Sequence, residues 1–274
     1  MEGFNDLDGL ALCRGIKAAV LKGREVIFYK AGRTPEGKSA TSGHTASLAG
    51  DYMVCHSSIL QAGAMVADSF TDFEDLFRLS VSLHGKKING NRLAAVSGAG
   101  FEAVGMADSI QGDDYGMEMA TFTTGTNERL TLLVRESGLE GLVDVKNPMD
   151  INPSADDRLH AEVVQVLSED PNVDAIVVGL DPLSPCINSL PSGVRKGESL
   201  TSDTGIAALM AKTVEEIEKP VLGVVDAGRR FDPMADLLEQ RGVVVFRSSD
   251  RAVSALAKYM GSRLYVRGLF KGKG

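Results

Sequence analysis

The chain has 274 residues, a formal net charge of −8, 43% hydrophobic residues and no Trp. Its acidity speaks against a nucleic-acid or anionic-membrane surface, and with 5% aromatics it has no stacking platform for single-stranded nucleic acid. No apolar run approaches the ~20 residues of a membrane span, so the expectation is a cytoplasmic α/β protein of one and a half to two units.

The opening Met1-Glu2-Gly3-Phe4 lacks leader character, and Leu7 to Leu21 reads as an amphipathic helix stopped by Gly23. A strand follows at Glu25 to Tyr29. The abrupt start reads as the second half of a unit. Residues 30–50, KAGRTPEGKSATSGHTASLAG, read as a long flexible loop carrying Lys30, Arg33, Lys38 and His44. A helix from Tyr52 to Ala62, a strand at Met65 to Ala67 and a helix from Phe73 to Leu83 complete this part. The polar segment Lys86 to Asn91 reads as a linker.

A second unit opens with the buried-type strand Leu93 to Val96, the turn Ser97-Gly98-Ala99-Gly100 and a helix from Phe101. Strands are expected at Met117 to Phe122, Leu142 to Val145, Val173 to Leu180, Pro220 to Val225 and Val243 to Phe246, with helices between them. Asp181 to Ser202 reads as an inserted loop. The last helix is expected to reach about Met260, followed by a frayed basic tail. Such alternation predicts a doubly wound parallel sheet of about five strands.

In such sheets ligands bind beyond the carboxyl ends of the strands. Three candidate loops follow: the His44 segment, the Ser97–Gly100 turn and Asn147-Pro148-Met149-Asp150. The second would present backbone N–H groups and a helix dipole to an anion. The third has the composition of a plain turn. No GxGxxG dinucleotide fingerprint or GxSxG elbow occurs. Cys13, Cys55 and Cys186 form no CxxC pair, and the four histidines lack ligand spacing, so no metal site is expected.

Taken together, KAGRTPEGKSATSGHTASLAGD, RLAAVSGAGFEAVGMAD, NPMDI, EDPNVDAIVVGLDP, EKPVLGVVDAGR and GVVVFRSSDRAVSALAKY resemble, in order, segments of the NDP-forming acyl-CoA synthetases. This is the superfamily of ADP-forming acetate–CoA ligase and succinyl-CoA synthetase. The resemblance implies two flavodoxin-like parallel-sheet units of the succinyl-CoA synthetase type, the first incomplete. It divides the chain into residues 1–88, the second half of the phosphohistidine-bearing domain, residues 91–262, a complete flavodoxin-like domain, and residues 263–274, a basic flexible tail.

It also implies an acid–thiol ligase that interconverts acyl-CoA, NDP and phosphate with carboxylic acid, CoA and NTP. His44 would carry the phosphoryl group and Glu2 would hold its imidazole. Ser42, Gly43, Ser97, Gly98, Ala99 and Gly100 would bind phosphate, with Asn147 and Asp150 lining the site. The family loop usually has Gly where Ala46 stands. CoA, ATP or ADP, and Mg would belong to CoA-binding and ATP-grasp domains not expected in this chain. These are the expected partners, in a homo- or hetero-oligomer, and activity without them is not expected. The alternatives are a non-catalytic docking or regulatory module, or a protein acyltransferase-type relative. Retention of His44 argues against the latter.

Overall fold

A computed structural model describes residues 8–45 and 51–271, the side chains of 41–45 and 270–271 excepted. Two compact units emerge, one of residues 1–84 with 258–274 and one of 85–257.

The first unit runs α1 (Asp8–Val20), β1 (Ile27–Tyr29), α2 (Pro35–Thr45), α3 (Tyr52–Gln61), β2 (Met65–Ala67) and α4 (Phe70–Leu83). β1 and β2 pair in parallel, Phe28 opposite Val66. Ile16, Val20, Phe28, Ile59 and Val66 form its core. The segment expected as a loop is helical over α2. Its start is chemically specified: the Gly37 N–H donates to Thr34 Oγ1 at 3.1 Å, Pro35 occupies the first turn and Glu36 complements the dipole. Likewise Asp51 caps α3 through Val54 N (3.0 Å) and Ser69 caps α4 through Asp72 N (3.0 Å). That cap starts α4 three residues before the expected Phe73.

The second unit contains β3 (Arg92–Ser97), α5 (Gly100–Asp108), β4 (Glu118–Met119), α6 (Thr124–Glu136), β5 (Met149–Asp150), α7 (Asp157–Glu169) and β6 (Ala175–Gly179). It continues through α8 (Ile206–Glu216), β7 (Val221–Val224), a 3-10 turn (Arg229–Phe231), α9 (Asp232–Gln240), β8 (Val244–Phe246) and α10 (Ser249–Lys271). All pairings are parallel, in the order β4-β3-β6-β7-β8, with β5 also on β3. β4 pairs with Arg92 and Leu93, and β5 with Val96 and Ser97, so the two share one row. Counted by rows in chain order the sheet is 2-1-3-4-5, the flavodoxin order, with its switch point between β3 and β6. Leu93 to Val96 and Ile176 to Val178 are fully buried, as expected for a sheet covered on both faces.

Three expectations change here. Leu142 to Val145 forms no strand; the row resumes only at Met149. The Asn147 side chain fills the gap, accepting from Ala95 N (3.0 Å) and donating to the carbonyls of Leu93 (2.7 Å) and Ala120 (2.9 Å). The supposed linker is anchored: Lys86 Nζ donates to the Val214 carbonyl at 2.9 Å and also to that of Ile217, meeting carbonyls at the C-terminal end of α8.

The third concerns the C-terminus, where residues 263–271 continue α10 instead of forming a flexible tail. They have partners in the first unit. Arg263 pairs with Glu25, the Tyr259 ring is fully buried and Val266 packs on the core of β1 and β2. Residues from Lys258 onward therefore belong to the first unit, where the sequence placed them, up to 262, in the second. No helix among the described residues is long and apolar enough to cross a membrane.

Candidate functional site

In the second unit β3 delivers Ser97-Gly98-Ala99-Gly100 to the switch point. Ser97 Oγ accepts from Ala99 N (2.9 Å) and donates to Glu102 Oε2 (2.7 Å), tying the strand end to the first turn of α5. Glu102 N and Ala103 N both donate to the Ala99 carbonyl. The N–H groups of Gly100 and Phe101 precede these bonds, so the helix itself does not use them. The glycines are steric requirements. A Cβ on Gly98 would lie 3.1 Å from Asp181 Oδ2 and 3.4 Å from His160 Nε2, and one on Gly100 would collide with the Asp150 carboxylate.

Three aspartates lie at this end of the sheet: Asp150, the last residue of β5, Asp181 after β6 and Asp226 after β7, the first two against the turn itself. The three non-glycine residues with positive φ among the described residues, Asn152 (72°), Asp181 (34°) and Ala227 (57°), belong to the same three loops. Backbone strain concentrated at one sheet edge marks a functional edge.

Glu102 is 7% exposed and packs against Gly179, where any Cβ would strike its carboxyl. Burial, then the charges of Asp226 and Asp181, push its pKa up to about 7, against the Ser97 hydrogen bond that favours the anion. Burial and the Asp226 carboxylate likewise raise Asp181. His160 is wholly buried. Its Nδ1 lies 2.9 Å from the Asp156 carbonyl, which can only accept, so Nδ1 carries the proton. Burial lowers its pKa, favouring a neutral ring whose Nε2 is an acceptor with no hydrogen-bond partner among the described residues.

Of the residues named from sequence, Ser97, Gly98, Ala99, Gly100 and Asp150 thus come together. Asn147 does not line this site: its amide is consumed by the strand backbone. Sequence reading missed Glu102, His160, Asp181 and Asp226. Asp181 and Asp226 directly follow two predicted strands, and the strand-end rule would have found both.

In the first unit His44 is the penultimate residue of α2, with Ser42 and Gly43 in the same last turn. Their side chains, and Glu2, lie outside the described residues. Lys30, expected in a flexible loop, is 2% exposed at the carboxyl end of β1, with Nζ donating to the Ala31 carbonyl at 2.6 Å. Arg33 lies 3.9 Å from Asp68 and over the Tyr52 ring. Lys258 Nζ sits 2.6 Å from both Asp68 and Asp72. The strand ends of this unit thus carry an ionic lattice, not a free basic patch. Among the described residues no group of three His, Cys, Asp or Glu side chains is placed to hold a metal ion.

Residues 1–80 match the succinyl-CoA ligase-like flavodoxin domain. Over 241 residues the chain is 30% identical to the α subunit of ADP-forming acetate–CoA ligase II of Pyrococcus furiosus, covering 87% of this chain and 48% of that protein. It is 30% identical over 261 residues to ADP-forming acetate–CoA ligase I of Archaeoglobus fulgidus, covering 94% of this chain and 33% of that one.

Among solved structures, the dinucleotide-forming acetyl-coenzyme A synthetase 1 of Candidatus Korarchaeum cryptofilum, in complex with phosphate and ADP, aligns with a TM-score of 0.74 at 23% identity. That alignment covers 98% of this chain and 53% of that one, and supports the fold. The chain spans about half or less of the length of these relatives. The kinship read from the motifs is borne out: this chain is related to part of the ADP-forming acetate–CoA ligases, with a succinyl-CoA ligase-like flavodoxin domain at residues 1–80.

Proposed function

We propose that this chain is the phosphoryl-carrying part of a cytoplasmic NDP-forming acyl-CoA ligase, completed by CoA-binding and ATP-grasp domains that supply the sites for CoA, nucleotide and Mg. The reading rests on its relatives. The observation that carries it is the glycine-opened N-terminus of α5 at the switch point of a flavodoxin-order sheet.

His44 is the nucleophile. An imidazole nitrogen attacks the phosphorus of an acyl phosphate, forming a P–N bond as the P–O bond to the carboxylate breaks. The phosphoryl group then passes to a nucleoside diphosphate. Glu2 fixes the tautomer by accepting from the other ring nitrogen. The Ser97–Gly100 turn offers a phosphate the Gly100 and Phe101 N–H groups and the dipole of α5.

The test combines the chain with CoA-binding and ATP-grasp domains of a related ligase. Radiolabel from γ-labelled ATP should appear as acid-labile phosphate on His44. His44→Ala should lose both label and turnover while keeping its melting temperature, and Glu2→Gln should slow turnover by ~10²–10⁴. Full activity in the His44→Ala protein would remove the phosphohistidine from the mechanism.

A further inference from the structure

In the first unit α4 carries two apolar faces. Leu76, Leu79 and Leu83 are buried on the side that α4 lays over β1 and β2. On another side Phe70, Phe73, Phe77 and Val81 follow at helical spacing and form one stripe. Phe70 is 70% exposed, Phe77 60% and Val81 68%, while Phe73 is half-buried. The Phe70 ring is seated beside Tyr29, centroids 4.8 Å apart. A surface helix needs one apolar stripe to hold its sheet, and the second exceeds what this unit's own core uses.

The stripe is self-complementary. Run in reverse against itself, it sets Phe70 opposite Val81 of a second copy and Phe73 opposite Phe77, both pairs centred on the same turn of the helix. Glu74 and Arg78 lie together on one flank of the stripe, and the same reversal sets Glu74 of each copy against Arg78 of the other. A parallel pairing would instead set glutamate on glutamate and arginine on arginine. We propose that this face of α4 docks a second copy of the chain, antiparallel, through Phe70, Phe73, Phe77 and Val81, with the Glu74–Arg78 pairs fixing the register.

The size of the stripe sets the strength. It runs about 17 Å along the helix at ~1.5 Å per residue. Two largely exposed phenyl rings and a valine offer roughly 300–400 Å² of apolar surface per copy. With their flanking residues the two copies bury about 1,000 Å², the low end for a specific interface. Arg78 already lies 3.6 Å from Asp75 with 35% of its side chain exposed, so its pairing across the rim orients the copies more than it binds them. The product is a reversible dimer with a Kd on the order of 10–100 µM. It does not depend on phosphoryl transfer through His44.

The test is sedimentation equilibrium of the full chain from about 5 µM to 1 mM, which brackets that affinity. Wild type should pass from monomer to dimer across the range. Phe77→Glu should weaken the dimer by at least ~100-fold and leave the melting temperature unchanged, because this side chain is 60% exposed. Glu74→Arg and Arg78→Glu should each weaken it by about tenfold, since like charges then meet at both ends of the seam. An equimolar mixture of these two variants should recover the dimer, because Arg then faces Glu at both ends, a result that misfolding cannot produce. A monomer at every concentration would overturn the proposal, as would a dimer indifferent to Phe77→Glu. Failure of the mixture to recover would remove the antiparallel register. Conversion of the dimer to a complex with the CoA-binding domain of a related ligase, itself lost in Phe77→Glu, would give the face to that domain instead of a second copy.

Discussion

Asn147 was read from sequence as a site residue, and the structure gives it a different and measurable task. Its amide occupies the gap between β4 and β5, and Asn147→Ala empties that gap. Ala95 N–H, in a wholly buried residue, loses its acceptor, and the Ala120 carbonyl, 3% exposed, loses the donor it shares with Leu93. The Leu93 carbonyl keeps Ala120 N at 2.9 Å and suffers less. Two orphaned buried groups at ~1–3 kcal/mol each amount to about 2–6 kcal/mol. For a unit of this size, each kcal/mol moves Tm by ~2–4 °C, so calorimetry should show a drop of about 4–24 °C. Phosphate binding to the still-folded protein should be unchanged. A Tm within about 1 °C of wild type, with phosphate binding lost, would refute the clasp and restore Asn147 to the site.

Glu102 should make stability fall as pH rises. Its folded pKa, about 7, lies above the unfolded 4.5, so between these values the folded state holds more protons, stability falls as pH rises through that window, and the loss is complete above pH 7. Glu102→Gln should therefore be more stable than wild type at pH 8, by on the order of 2–3 kcal/mol, with the difference gone near pH 4; urea melts giving a pH-independent difference would refute the assignment. Lys258→Met should destabilise the first unit by about 1–2 kcal/mol, below the ~3–5 of a fully buried pair because Asp68 is 39% exposed. Burial alone would raise Asp68, but its bond to Lys258 prevails and lowers it, so this contribution is present above the ordinary aspartate range and lost as pH falls below it. Faster hydrogen exchange in the first turn of α4 at pH 7, and no difference at pH 2, is the expected signature.

The strands of the second unit were legible because Leu93 to Val96, Val173 to Leu180 and Pro220 to Val225 are short apolar runs of the kind a doubly covered parallel sheet requires. The Ser97–Gly100 turn was legible for a related reason: glycine between a strand and a helix is a local backbone statement. The motif order carried the kinship. Local pattern alone did not show that α2 would propagate from the Thr34-Pro35 start through a glycine- and serine-rich stretch.

What only tertiary structure decided depends on neighbours far away in the chain. Lys30 is buried though it opens a segment that also carries Arg33, Glu36 and Lys38. Residues 263–271 are helical because Glu25 and the first unit's core give that face partners. Asn147 is a clasp because β4 stops early and leaves Ala95 N–H to be satisfied. Asp150, Asp181 and Asp226 lie up to 76 positions apart by their numbering and form a collar only because parallel strands bring every carboxyl end to one edge of the sheet. Periodicity reports which face a residue takes within its own element; pairing order determines which elements meet, and with them the charges around the turn.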